Sequence, residues 1–351
     1  MKANQYVRNC WYVAGFSSEF EKGKLSGHKI ANKAIVIWRT NDGKISAFDG
    51  RCVHKRFPLS EGRLLENGLL ECAYHGLCYN AKGECVKIPS LPDGPIPKNA
   101  KLNPFPVLEQ DGIVWIWPGD SVKAQKIPPP RVSEFVDDAW ETVKSEPMHV
   151  PANYLLLIEN LLDITHFYPL HESNIGDIEN SRIPIEVEDG EFDGVPYVKT
   201  TRKVEDYKQP PYLAEWFGYD VVDRIHTHHM IGPAITRVEM RVAPPGKLDT
   251  EDERSYIINH THTPIDERNH VWRWTFSMAA DHMSDEPGIS AVQKATKSFP
   301  DVVAEDLWAL EKQQEMFELP DDGYSELFLK PDMALRRARQ IFVKMIAEEA
   351  A

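Results

Sequence analysis

Up to about residue 120 the chain alternates short apolar runs with turn residues. Residues 34–39 and 44–48 flank Asn41-Asp42-Gly43, where Asp-Gly favours a tight hairpin, and Ile113-Val114-Trp115-Ile116-Trp117 ends at Pro118-Gly119-Asp120. This pattern predicts a small all-β domain. Lys126-Ile127-Pro128-Pro129-Pro130 follows as a stiff connector, which divides the chain near residue 125 into an N-terminal domain, 1–125, and a second domain, 126–351. In the second, apolar spacing predicts a helix over 154–167, long antiparallel strands over 219–244 and 254–278, and helices over 302–317 and 333–347. The last has an apolar stripe of Leu335, Ile341, Phe342, Met345 and Ile346 opposite Arg336, Arg337 and Arg339, so it is expected to pack on the core. The fold class is α+β.

Composition narrows the function. Of 351 residues, 42% are hydrophobic and 27% charged, the balance of a folded chain rather than a disordered one. Asp and Glu number 54 against 40 Lys and Arg, and the net charge of −14 opposes binding to nucleic acid or anionic lipid. Apolar runs no longer than 154–158 are far short of the ~18 residues that span a bilayer. Met1-Lys2-Ala3-Asn4-Gln5 soon meets Arg8, without the apolar segment of a secretory signal, so the expected location is cytoplasmic. The five cysteines, Cys10, Cys52, Cys72, Cys78 and Cys85, are too few and too clustered for a disulfide framework and point to metal binding.

Two constellations carry chemistry. Cys52-Val53-His54 and Cys72-Ala73-Tyr74-His75, separated by residues 55–71, supply two thiolates and two imidazoles. Spacing alone fits either a tetrahedral zinc or a 2Fe–2S cluster with two histidines on one iron. The loop setting, with Gly76 after His75 and Pro58 in the first loop, favours the cluster. Cys78 and Cys85 fall outside the ligand spacing and read as reduced core thiols.

The second constellation is Asp163-Ile164-Thr165-His166-Phe167-Tyr168-Pro169-Leu170-His171. On a continuous helix Asp163 and His166 share a face, but His171 lies roughly 140° round from His166 at about 100° per residue. Both histidines reach one metal only if the helix ends or widens between them, and Pro169 supplies a reason. Two histidines and one carboxylate form the facial ligand set of non-haem Fe(II) oxygenases, so a carboxylate from elsewhere is required.

The segment from Cys52 to Ser60, Cys72-Ala73-Tyr74-His75-Gly76, Tyr79 and Gly83 resemble the Rieske loops of ring-hydroxylating and demethylating oxygenases, although Val53, Ala73 and Lys55 depart from the commonest pattern. The resemblance begins at Asn9-Cys10-Trp11-Tyr12-Val13-Ala14 and reaches the segment 305–314. It is closest to vanillate and dicamba O-demethylase oxygenases and arylsulfonate methyl hydroxylases. It implies a Rieske 2Fe–2S domain, with Cys52, His54, Cys72 and His75 as ligands, followed by a helix-grip catalytic domain holding mononuclear Fe(II). It places Asp306 at the third iron ligand beside His166 and His171, with Glu305, Asp301 and Glu311 as alternatives. It also implies that Asp163 bridges His166 to His75 of a neighbouring subunit in a homotrimer, that Asn160 lies near the iron, and that His260 contacts substrate.

The implied function is a terminal oxygenase component that uses O2 and NADH-derived electrons to O-demethylate or hydroxylate a small aromatic compound. The alternative is a ring cis-dihydroxylating dioxygenase acting on an aromatic acid or polycyclic aromatic, which shares every metal ligand. A simple electron carrier is disfavoured by the second constellation. No G-x-G-x-x-G fingerprint is present, so electrons are expected from a partner, an NADH-dependent flavin/iron–sulfur reductase or a ferredoxin. Strand alternation sends His226 and His228 to one face and His229 to the other, against a third metal site. Arg237 and Arg241 share a face and read as exposed rather than substrate-binding.

Overall fold

The computed structural model describes residues 6–282, 289–320 and 323–350. The segment 1–5, on which the export reading partly rests, lies outside them. The chain forms two compact units. One is Arg8–Pro129 with Thr263–Asp266, and the other is Met1–Val7, Pro130–His262 and Glu267–Ala351. Among the described residues no helix is long and apolar enough to cross a membrane.

The first unit is built from three small antiparallel sheets. Lys33–Arg39 and Ile45–Asp49 pair with Arg39 opposite Ile45, the hairpin that Asp42-Gly43 turns. The short strands Arg63–Leu64, Leu70–Glu71, Cys78–Tyr79 and Cys85–Lys87 form a four-stranded sheet. Trp38, Phe48, Leu59, Leu70 and Leu77 make its core, and Cys52 and Cys72 are buried against them.

The second unit is dominated by an eight-stranded sheet whose defined registers are antiparallel. Each of the two long alternating segments read from the sequence is a hairpin rather than one strand. Val221–Ile231 turns at Gly232 into Ile235–Ala243, and Arg254–Pro264 is followed by His270–Ala279. Gly232 has φ +58°, a left-handed conformation that ends the first strand. The helix Tyr154–Leu162 buries Leu156 and Leu157 in a core with Trp272, Phe276 and Val238 from the sheet. Val303 and Leu310 of the helix Phe299–Phe317 join the same core.

The C-terminal helix Met333–Ala350 buries Ala334, Ala338 and Phe342. The sequence reading put Arg337 and Arg339 on its outer face. Arg337 instead pairs with Asp189, and Arg339 grips Glu159 and Glu326. Glu159 sits buried in the helix Tyr154–Leu162, so its carboxylate needs a cation. Removing one member of such a buried pair costs about 3–5 kcal/mol, against ~0–1 kcal/mol for an exposed one.

Candidate metal centres

The two cysteine–histidine loops of the first unit have the same backbone. Cys52 N–H donates to Phe57 O and Arg56 N–H to Cys52 O, while Cys72 N–H donates to Leu77 O and Gly76 N–H to Cys72 O, each at 2.9 Å. The fourth residue after each cysteine is left-handed, Arg56 at φ +55° and Gly76 at φ +70°. A side chain at Gly76 would also meet Pro89, 2.9 Å from the Cβ position. Each loop thereby buries its thiol and exposes its imidazole: Cys52 and Cys72 are buried, His54 and His75 exposed.

The donors are sorted by type. The His54 and His75 rings lie 4.5 Å apart. The Cys72 thiol is pushed up by burial and by Cys52 beside it. Four donors around one tetrahedral ion at ~2.0–2.3 Å would lie within about 4 Å of one another. Among the described residues, three or more metal-binding side chains bring ligand atoms within 4.8 Å of one another at one place only, in the other unit. A two-metal group with sulfur ligands at one end and imidazoles at the other fits the first unit better than zinc. The Tyr79 hydroxyl accepts from Val53 N–H at 3.3 Å, leaving its proton free for Cys52 Sγ at 3.1 Å. Cys78 and Cys85 stand apart, their thiols turned to the carbonyls of Gly76 and Lys87.

In the second unit His166, His171 and Asp306 bring one donor atom each to within 4.8 Å of one another. The expected helix over 154–167 is corrected here. It stops at Leu162, Asp163 is extended at φ −111° and ψ 114°, and a short helix, Phe167–Leu170, begins afterwards. Asp163 accepts from Thr165 N–H at 2.8 Å and from Thr165 Oγ1–H at 2.7 Å, bonds that compete with helix continuation. Pro169 is not the breaker. It lies in the first turn of Phe167–Leu170, where no backbone donor is required. Asp163 and His166 therefore do not share a helix face, and burial of the His166 ring outweighs Asp163, which favours its charged form.

Asp306 comes from the stripe Val302, Val303, Asp306, Leu310 and Gln314 of the last core helix, a carboxylate where the pattern calls for an apolar residue. Asn160 Nδ2–H donates to Asp306 Oδ1 at 3.0 Å. His171 Nδ1 lies 2.6 Å from Glu305 Oε2, and Asn174 donates to Glu305 Oε1 at 2.9 Å. Since a carboxylate accepts, Nδ1 carries the proton and Nε2 of the neutral ring is a bare lone pair. Among the described residues that buried Nε2 has no hydrogen-bond partner, yet it lies 3.2 Å from Asp306 Oδ1. Two acceptors facing each other at this distance call for a proton or a metal ion between them, and ligands at ~2.1 Å and right angles around an octahedral ion stand about 3 Å apart. His166 Nε2 lies 3.6 Å from the same oxygen. Burial and the nearby His171 push His166 down, toward the neutral form a metal requires. Burial also opposes a charged His171, but Asp306 and Glu305 outweigh it and raise the metal-free ring.

Sequence reading named Glu305 only as a substitute for Asp306 and missed its part in orienting His171. Such carboxylate–histidine pairs are worth roughly 10–100-fold in metal affinity, so Glu305→Gln should weaken Fe(II) binding by about that factor in a metal titration while the visible cluster spectrum stays unchanged. Unaltered Fe(II) affinity would remove Glu305 from the site.

Beside these ligands the sheet and helices enclose about 810 Å³ of atom-free space, part of it open to solvent. Its walls include Phe167, Trp216, Trp272, Phe276, His228 and His260. His260 Nδ1 accepts from Trp272 Nε1–H at 3.2 Å. Arg237 and Arg241 do not line it. Arg237 pairs with Glu134, and Arg241 with Glu253 and Asp249.

The geometry has counterparts in known proteins. Residues 10–106 match the Rieske 2Fe–2S domain, and residues 150–348 match the Vanillate O-demethylase oxygenase C-terminal domain. The chain is 31% identical to a putative toluene-4-sulfonate monooxygenase system iron–sulfur subunit of Comamonas testosteroni, covering 98% of each chain. It is 28% identical to a vanillate O-demethylase oxygenase subunit of a Pseudomonas species, covering 88% of this chain and 86% of that one. The crystal structure of dicamba monooxygenase bound to 3,6-dichlorosalicylic acid superposes with a TM-score of 0.87 at 29% identity, covering 99% of both chains.

Proposed function

Because the chain belongs to the Rieske non-haem iron oxygenases, in the family of the vanillate O-demethylase oxygenases, we propose that Cys52, His54, Cys72 and His75 hold its 2Fe–2S cluster and that His166, His171 and Asp306 hold its mononuclear Fe(II). It is an oxidoreductase, the oxygenase component of a system with a separate reductase. When bound, the cluster would supply electrons one at a time and the Fe(II) would offer open positions for dioxygen. The observation that supports the ligand assignment most is the bare His171 Nε2 opposed to the Asp306 carboxylate, with Glu305 holding the proton on the far nitrogen.

The chain's own groups then have distinct tasks. Asn160 fixes the rotamer of Asp306, and Glu305 fixes the tautomer of His171. The aromatic walls hold a flat apolar substrate and keep bulk water from the reacting carbon. For an aryl methyl ether the balanced reaction takes ether, O2, NADH and H+ to phenol, formaldehyde, water and NAD+. Hydroxylation of a methyl group is the same insertion without the collapse that releases formaldehyde. The relatives share this monooxygenase character, and nothing in the cavity favours ring dihydroxylation over it. The electron donor is an NADH-dependent flavin/iron–sulfur reductase or a ferredoxin, and the working assembly a homotrimer in the cytoplasm. In it, Asp163 of one subunit joins His166 to His75 of the next. His260 contacts the substrate.

Reconstituted protein should contain the two cluster irons plus one, and with NADH and a surrogate reductase should release formaldehyde from at least one methoxybenzene in step with NADH oxidation. A protein that holds only the two cluster irons after Fe(II) reconstitution is an electron carrier, and the oxygenase reading is then wrong.

A further inference from the structure

A row of side chains crosses one face of the large sheet at the level of the cavity. Arg202 stands opposite His226, His226 opposite Met240, and Met240 opposite Tyr256 on successive strands. His226, Met240 and Tyr256 all line the cavity. So does His260, four residues along the strand Arg254–Pro264 from Tyr256, and at ~3.3 Å per residue the two levels lie about 13 Å apart. Burial pushes both side chains toward their neutral forms. The charge that opposes it is Asp306 for His260 and Arg224 for Tyr256. The cavity therefore has one end at the iron ligands and an opposite end at Tyr256.

Tyr256 is joined there by Tyr212, which lines the cavity from the helix Pro211–Phe217, one turn before Trp216. The Trp216 ring packs against both phenols, 5.3 Å from Tyr212 and 6.1 Å from Tyr256, and so keeps them together. Among the described residues neither hydroxyl has a hydrogen-bond partner, and neither is sealed from solvent as His226 Nδ1 is. Yet both lie deep in the fold, since burial pushes both phenols up. The space on which they open is therefore the cavity that their residues line. Each is a neutral phenol free to donate.

Behind this end the fold places fixed positive charge. Arg224 is buried, and its Nη2 donates at 2.8 Å to Oδ1 of Asn180, a residue of the cavity wall. Its Nη1 has no hydrogen-bond partner among the described residues; Asp177 stands 4.0 Å away and also accepts from the Tyr207 hydroxyl. Arg202 is buried as well, and although burial holds it down to about 10 against the pull of Asp163, it is a cation at neutral pH. Neither arginine lines the cavity, so both act through their field rather than by contact. A buried anion needs hydrogen-bond donors and a compensating charge together, and this end supplies both. We propose that Tyr212 and Tyr256 form a substrate subsite at the end of the cavity away from the iron ligands. It takes an oxyanion, a carboxylate or sulfonate, carried by the aromatic substrate opposite the reacting methyl group and so held away from the carboxylates of Asp306 and Glu305. This deepens the oxygenase reading and rests on it.

Calorimetric titration into the intact protein tests the subsite with 4-methoxybenzoate, 4-methylbenzenesulfonate and the neutral 4-methoxytoluene. At least one anion should bind roughly tenfold or more tightly than 4-methoxytoluene, the margin expected where buried donors are paired by one ligand and left unpaired by another. The tighter of the two anions tells carboxylate from sulfonate. In Tyr256→Phe, which keeps the ring and loses only the donor, the preference should shrink by about tenfold, while the neutral ether stays within about threefold of native. Tyr212→Phe should act in the same direction, and it serves alone if Tyr256→Phe does not fold. Tightest binding by 4-methoxytoluene would overturn the proposal, as would an undiminished anion preference in either variant once folded. Formaldehyde assayed with a surrogate reductase separates this from the underlying reading. It should come from 4-methoxybenzoate roughly tenfold or more faster than from 2-methoxybenzoate, whose carboxylate cannot reach the tyrosines while its methyl group is at the iron ligands. Equal rates from the two isomers would overturn the opposed placement. An anion preference with no formaldehyde from any probe leaves the tyrosine subsite standing and counts against demethylation, and formaldehyde from 4-methoxytoluene without any anion preference does the reverse.

Discussion

Asp306→Ala and Cys72→Ser will each abolish NADH-driven turnover, and they will do so through different centres. Asp306→Ala should keep its colour and acid-labile sulfide while losing mononuclear iron, because it removes one of the three proposed ligands from one site only. The neighbouring acid cannot substitute without cost: both Glu305 oxygens are engaged, by His171 and Asn174. Cys72→Ser should be colourless. The remaining thiols nearby, Cys78 and Cys85, are tied to carbonyl oxygens on the strands Cys78–Tyr79 and Cys85–Lys87 and have no path to the vacant ligand position. Visible spectra, sulfide and iron assays on the same preparations distinguish the two losses. Full iron content with full turnover in Asp306→Ala would move the ligand role to another acid. Two sulfides per chain in Cys72→Ser would remove Cys72 from the cluster.

How much of this was legible in the sequence varied with the range of the interaction. The cysteine–histidine pairs stood out because both members of each pair lie within one short loop, so spacing and geometry are nearly the same thing. The hairpin at Asp42-Gly43 was legible for the same reason. Longer apolar patterns gave element type but not boundaries. The helix ending at Leu162 continues in apolar pattern past its true end, and only the side-chain bonds between Asp163 and Thr165 stop it. Attributing the break to Pro169 mistook a residue at ease in a helix's first turn for its terminator.

Across the chain the sequence was weaker. Asp306 could be picked only from resemblance, although a carboxylate within the stripe Val302, Val303 and Leu310 was itself a signal, since an acid on a core face needs a partner or a metal. Glu305 had no such mark: the next residue along an exposed helix edge looks like ordinary solvated charge until His171 is seen against it. The bond of His228 to the Leu161 carbonyl was out of reach altogether, because tertiary packing alone brings that carbonyl to the strand Val221–Ile231.

Asp163→Asn should slow turnover severely while both metal centres remain loaded. The substitution roughly conserves size and can still cap Thr165 through its amide oxygen, so the local break that presents His166 should survive. What it removes is the negative charge that, in the proposed assembly, orients His166 on one side and the neighbouring subunit's His75 on the other. Head-to-tail contacts of that kind close into rings, and the route then runs only between chains. Mixed assemblies test this directly. Chains carrying Cys72→Ser, with no cluster, and chains carrying His166→Ala, with a damaged iron site, are each inactive alone. Co-expressed, they should regain part of the native rate, because an intact cluster on a His166→Ala chain can then face an intact iron site on a Cys72→Ser neighbour. The two defects lie in different chains, so a route confined to one chain finds no subunit with both centres whole and predicts no recovery. Mixed trimers that retain both intact centres yet show no activity above either parent would make the electron path intramolecular and leave the Asp163 carboxylate with its local bonds to Thr165 alone.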